Sequence, residues 1–173
     1  TWWESRVYVF GDRVLVTASD SEYLVALRSE DGEALYRQPR NGLEVVVGTS
    51  EKALIVMGEK KLVSLDAEGG EVLWRKMTGT LSGRAVMHPD GLVLAPQGES
   101  ILVIDVETGE ERRAIRVFNP EDLPVFNLAL SGGGVVAVGL DRMERLAPLE
   151  TERSRRLEMV EQGATVESWT ELA

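Results

Sequence analysis

The 173-residue chain contains no cysteine and a single histidine. The first absence removes disulfides, thiolate nucleophiles and Cys-based metal sites together, and leaves the redox compartment open. The second leaves hydrolytic triads and zinc clusters without their usual parts. No apolar run approaches the roughly 20 residues a membrane-spanning helix needs. Basic charge is also scarce: 19 Lys and Arg stand against 29 Asp and Glu, a net charge of −10. That sign argues against nucleic acid, whose phosphates would be repelled. We read the acidity as a solubility feature, with an acidic groove for a basic partner as the alternative. The opening "TWWESRVYVF" has neither Met nor a basic stretch before an apolar one. It does not read as a secretory signal, so a processed chain or an excised fragment is expected.

What is present is a repeat. The stretch "LVSLDAEGGEVLWRK" (62–76) is an apolar alternating run, an acidic Gly-containing turn and a second run, and near copies stand at 24–37 and 101–113. The turn glycines Gly32, Gly70 and Gly109 are 38 and 39 residues apart, and Leu27, Leu65 and Ile104 keep the same steps. A third marker, Val14, Ala53 and Leu92, steps by 39 and 39. Such a period calls for a repeat architecture before any other reading.

Each unit holds four short runs rich in Val, Ile and Leu, bounded by turn residues; in the second they are 44–48, 53–58, 61–66 and 71–76. Linkers of a few residues imply antiparallel meanders. A four-stranded meander cannot bury both faces alone, but it can against a copy of itself, and four strands per roughly 40 residues is the pattern of a β-propeller blade. The expectation is an all-β fold of four four-stranded antiparallel blades, at about 5–38, 43–77, 83–116 and 125–160, followed by a tail, 161–173. The fourth unit is worn, and 142–162 also suits a charged helix; register with the other copies favours strands. The first unit starts in phase with "RVYVF", so no blade is split between the termini. Half of a seven- or eight-bladed ring is expected, with open edges that invite self-association.

"LDAEGGEVLWRK" and "IDVETGEERRAI" resemble the repeat of pyrroloquinoline-quinone-like (quinoprotein-type) propellers. The likeness covers about 6–160 and is good in two units. The family includes quinoprotein alcohol dehydrogenases, the propeller lipoprotein of outer-membrane assembly and many non-catalytic bacterial propellers, most of them extracytoplasmic. The resemblance implies that the outer-strand aromatics Tyr36 and Trp74 dock on the neighbouring blade's turn, with Gly32, Gly70 and Gly109 as the turn glycines. Arg113 and Arg156 or Leu157 hold the aromatic position in later units, so weaker locking is expected toward the C-terminus. It does not carry catalysis over. Quinoprotein dehydrogenases seat their cofactor between a Trp platform and a disulfide of adjacent cysteines, and bind Ca²⁺ through Glu and Asn beside an Asp base. Without cysteine that disulfide cannot form, and Trp74 belongs to an outer strand.

Few residues suggest chemistry. His88 in "MHPDG" reads as a turn residue rather than a ligand or base. Glu150, Glu152, Glu158 and Glu161 have the mixed-charge setting of a solvated face, and the Gly-rich 131–139 matches no phosphate-binding motif. Propellers generally bind at the channel mouth, where the loops offer Arg40, Asn41, Arg84, Asn119 and Asp141. Trp2 and Trp3 either cap an open edge or pack on the first blade. We therefore expect a non-catalytic scaffold or protein-interaction module of a larger bacterial, periplasmic or secreted protein, without cofactor or metal. The alternatives are a quinoprotein-type oxidoreductase fragment and a ligand-sensing receptor domain.

Overall fold

The computed structural model describes residues 6–18, 20–117, 125–131, 134–139 and 143–146. All regular elements among them are strands, each paired antiparallel with its neighbour in sequence. The first sheet is β1 (Arg6–Phe10), β2 (Arg13–Thr17), β3 (Tyr23–Arg28) and β4 (Ala34–Pro39). The second is β5 (Leu43–Thr49), β6 (Ala53–Gly58), β7 (Lys61–Asp66) and β8 (Val72–Met77). The third is β9 (Val86–His88), β10 (Leu92–Gln97), β11 (Ser100–Asp105) and β12 (Glu111–Arg116). The fourth comprises β13 (Asn127–Ser131), β14 (Gly134–Val138) and β15 (Met143–Leu146). The strand expected at 155–160, the tail from 161, Trp2 and Trp3 lie outside the described residues. So does most of 142–162, although 143–146 are strand. Among the described residues no helix is long and apolar enough to cross a membrane.

These sheets are propeller blades because neighbours pack face to face, the second and third each presenting one set of alternating side chains to the blade before it and the other set to the blade after it. In β6, "ALIVMG", every residue is buried. Leu54 and Val56 pack with Leu15, Leu24, Ala26 and Tyr36 of the first blade. Ala53, Ile55 and Met57 pack with Val93, Ala95, Leu102 and Ile104 of the third. The third blade then turns Leu94, Ile101 and Val103 toward Leu128 and Ala137 of the fourth. A strand that is apolar on both faces is the mark of a layer covered on both sides. Each fully buried Leu or Ile contributes roughly 1.5–3 kcal/mol.

The turn from third to fourth strand is the same object three times. The N–H groups of Arg28, Asp66 and Asp105 donate to the carbonyls of Glu33, Glu71 and Glu110, and those of Gly32, Gly70 and Gly109 donate back to Arg28, Asp66 and Asp105, all at 2.6–3.0 Å. A register shift follows at Ala26/Leu27, Ser64/Leu65 and Val103/Ile104. The marker formed by Val14, Ala53 and Leu92 needs correction by one residue. Val14 pairs with Leu27 as Leu54 pairs with Leu65 and Val93 with Ile104. The true counterparts are therefore Val14, Leu54 and Val93. The cause is the β2–β3 loop, residues 18–22, against residues 59–60 and 98–99 in the next two blades.

Register also places Ser64 opposite Trp74, where the first blade has Ala26 and the third Val103. Its hydroxyl is buried without a hydrogen-bond partner, a costly condition for a polar group. Ser64→Ala should therefore raise stability by about 1 kcal/mol, read as a higher urea midpoint at unchanged m-value. A lower midpoint would show that the hydroxyl has a partner in solution.

Candidate functional site

In the first three blades the loop joining the second and third strands lies against the segment entering the next blade. Arg40 donates its N–H to Glu22 O at 2.8 Å, Leu81 to Glu59 O at 2.8 Å and Val125 to Gly98 O at 2.8 Å. Backbone satisfied in this way holds the loops in fixed recesses. One recess, of about 450 Å³, is lined by Asp20, Glu22, Tyr23, Arg40, Asn41 and Glu44, among others. The next, of about 240 Å³, has an apolar floor of Val45, Met57 and Leu81 and a polar rim of Glu44, Glu59, Arg84 and Asn127. Glu44 lines both recesses.

Of the mouth residues named from sequence, Arg40 and Asn41 fall in the first recess and Arg84 in the second. Asn119 and Asp141 lie outside the described residues. Arg40 is only 8% exposed. Its guanidinium donates to Leu43 O at 3.1 Å, Ala18 O at 2.7 Å and Ser21 O at 3.3 Å, so it ties the β2–β3 loop to the entry of β5. Asn41 is an exposed turn residue at φ 45°, and its carbonyl accepts from Lys61 Nζ. The Arg84 amide meets Asn127 Oδ1 at 3.4 Å, where the lead into β9 bridges β13 in parallel. Beside it the backbone passes so close that a Cβ on Gly83 would fall 0.9 Å from Phe126 O. Glu44, Asn127 and Met57 were missed because the sequence search covered loops, and these three sit on strands. His88 accepts the Asp90 N–H at Nδ1, 3.3 Å away, in its turn. It also lines a third recess of about 220 Å³ between the third and fourth blades, together with Arg113.

The blades are clasped at their outer turns. A Cβ on Gly70 would lie 2.4 Å from Tyr36 Cδ2, and one on Gly109 would lie 2.6 Å from Trp74 Cδ2. Each ring thus rests on the bare backbone of the next blade's turn glycine. Both glycines also have the positive φ, 77° and 71°, that a side chain resists. The polar half of the clasp differs. Trp74 Nε1 donates to Val106 O at 2.8 Å. A tyrosine has no N–H to offer at the counterpart carbonyl, Ala67 O, and there Arg13 Nη1 donates instead. Burial pushes the Tyr36 phenol up from its ordinary pKa, and its hydroxyl has no hydrogen-bond partner. Arg13 in the first blade corresponds to Ala53 in the second, since they pair with Arg28 and Asp66. A small residue stands where the indole serves, and a cation where it does not.

In the third blade Asp105 Oδ1 accepts the amides of Glu107 and Thr108, both at 3.0 Å. Oδ2 receives Arg112 Nε at 3.1 Å and its Nη2. The Arg112 guanidinium beside it, helped by the Thr108 amide, holds the Asp105 carboxyl down at about 2.

A quinone cofactor does not fit the described residues. Trp74, the Trp among them, has its ring on Gly109 and its N–H on Val106, away from the loop face. No three His, Asp or Glu side chains of the described residues gather around a possible metal position.

Meander sheets stacked face to face, with an aromatic-on-glycine clasp at each polar turn, define a β-propeller of PQQ-like repeats. A family model described as outer membrane protein assembly factor BamB matches residues 1–155, and the chain belongs to this family of PQQ-like propellers. Among solved structures, BamB from Moraxella catarrhalis is similar at 17% identity with a TM-score of 0.59, over 75% of this chain and 40% of that one. A europium-containing methanol dehydrogenase is similar at 16% identity and TM-score 0.53, over 67% and 25%. The computationally designed Ika4 protein matches at 13% identity and TM-score 0.64, over 82% and 89%. At these identities the likeness concerns the fold, and the chain spans less than half of the BamB and dehydrogenase structures. No curated protein matches the sequence.

Two outcomes follow from the clasps. Arg13→Ala should cost about 1 kcal/mol in the native chain, and clearly less in a Tyr36→Trp background, where an indole N–H can reach Ala67 O. A double-mutant cycle from denaturation midpoints reads this coupling, and additive effects would refute the exchange. The folded-state pKa of Asp105 is depressed, so its contribution is present above the unfolded value near 3.8 and is lost as pH falls through about 2. Arg112→Ala should therefore lower the melting temperature at pH 5–6 and converge with the native chain between about pH 4 and 2.

Proposed function

We propose that the chain is a non-catalytic interaction module whose loop face receives an extended segment of a protein partner. The observation that carries this reading is the pair of recesses meeting at Glu44, with an apolar floor in one and carboxylates along both. Side chains of an extended peptide alternate, so successive recesses suit every second residue. Glu22, Glu44 and Glu59 stand against a chain charge of −10, which favours a segment carrying Lys or Arg beside aliphatic residues. Membership of a family described by an outer membrane assembly factor supports a protein partner and a periplasmic or secreted setting in a bacterium. The likeness to a methanol dehydrogenase concerns the fold, and among the described residues Trp74 is engaged in the blade clasp rather than offered as a cofactor platform.

The test uses synthetic extended peptides alternating aliphatic with Lys or Glu residues, read by fluorescence anisotropy. Lysine-bearing peptides should bind, and Glu44→Gln with Glu59→Gln should weaken them about tenfold, equivalent to about 1.4 kcal/mol. Equal binding of the glutamate series would refute the acidic loop face. A second arm adds pyrroloquinoline quinone and Ca²⁺: saturable absorbance change with dye reduction would overturn the non-catalytic reading.

A further inference from the structure

Among the described residues, the first blade carries an uncovered copy of a face that is buried in the second and third blades. Through register, Val14, Val16, Val25 and Leu27 correspond to Leu54, Val56, Val63 and Leu65 in the second blade and to Val93, Ala95, Leu102 and Ile104 in the third. Both later sets are buried against the preceding blade, with Leu54 and Val93 at 0% exposure. The first-blade set is half-buried, and its inner-strand neighbours Val7 and Val9 are 64% and 70% exposed. Gly32 tells the same story. Its φ of +75° matches Gly70 and Gly109, yet no described residue stands within 4 Å of its Cβ position, where the other two hold an aromatic ring.

The complementary face of the fourth blade is likewise uncovered among the described residues. Val136, Val138 and Met143 correspond to Ile55, Met57 and Leu62, which the second blade buries against the third. In the fourth blade Met143 is 73% exposed and the two valines are half-buried. Each interface between the described blades joins one face of each kind, and among the described residues one face of each kind is left uncovered. Two copies can bring these faces together.

We infer that a second copy of this chain covers the first-blade face, presenting its fourth-blade face there. The contact is heterologous, and closing it twice makes a two-chain ring. The loop-face recesses of both copies then stand around one mouth. Continuity with interfaces already present in the chain selects this occupant over an unrelated protein.

Light scattering on the native chain should give twice the 19.1 kDa monomer mass. Val14→Asp and Val136→Asp place a charge in each interface and should each run as monomers with the native circular dichroism spectrum. Mixing the two variants leaves one of the two interfaces intact, so pairs should reappear. Failure of the mixture to pair would mean that like faces meet, and would overturn the inference. So would a native monomer. Because the chain has no cysteine, single Val14→Cys and Val136→Cys chains serve where a charge unfolds the protein. Mixed and oxidised, they should give an interchain disulfide. In a monomer, a shielded Val14→Cys thiol would show the chain covering its own face, and a reactive one would show that the face awaits a different chain; either result overturns the second-copy assignment.

Discussion

Side chains that alternate across a strand must both be apolar when a sheet is covered on both sides, and that demand organises the molecule. The second and third blades meet it fully. Leu54 and Val56 face one way, Ile55 and Met57 the other, and all four are buried. Since no blade has a covered interior of its own, its stability is borrowed from its neighbours, as in other quasi-one-dimensional repeats. Within the described array the second and third blades, covered on both faces, are therefore the most secure.

Packing of flat apolar faces leaves the angle between blades weakly specified. The outer clasp supplies that specification. A ring laid on a glycine backbone fixes where two turns meet, and a hydrogen bond to the carbonyl after the turn aspartate fixes how. The two forms of the clasp, Trp74 with Ala53 and Tyr36 with Arg13, solve one geometric problem with different chemistry. At the third boundary the aromatic position holds Arg113, and a recess lined by Arg113 and His88 lies between the blades.

The loop face inherits its shape from this stacking. Backbone bonds from each incoming segment to the preceding blade's loop set the recesses, so the position of Glu44 or Glu59 depends on blade geometry more than on loop sequence. Function placed there can vary while the apolar faces stay unchanged.

Strand order, the meander pairing and the repeat were readable in the chain itself, because turn glycines and alternating apolar runs are local and recur three times. The phase of the first blade was misread by one residue, since a longer β2–β3 loop leaves no local mark of which strand residues pair. Arg40 looked like a binding residue in a loop, yet it is buried on three carbonyls, and only the folded backbone brings those oxygens together. Glu44 was passed over on a strand for the converse reason. The exchange of an indole N–H for a guanidinium, across partners separated by 32 and 54 residues, is likewise invisible to spacing. Short-range patterns decided which segments are strands and that they stack. The partners of each polar group, and which described faces stay uncovered, were decided by the three-dimensional arrangement, because both depend on contacts between residues far apart in the chain.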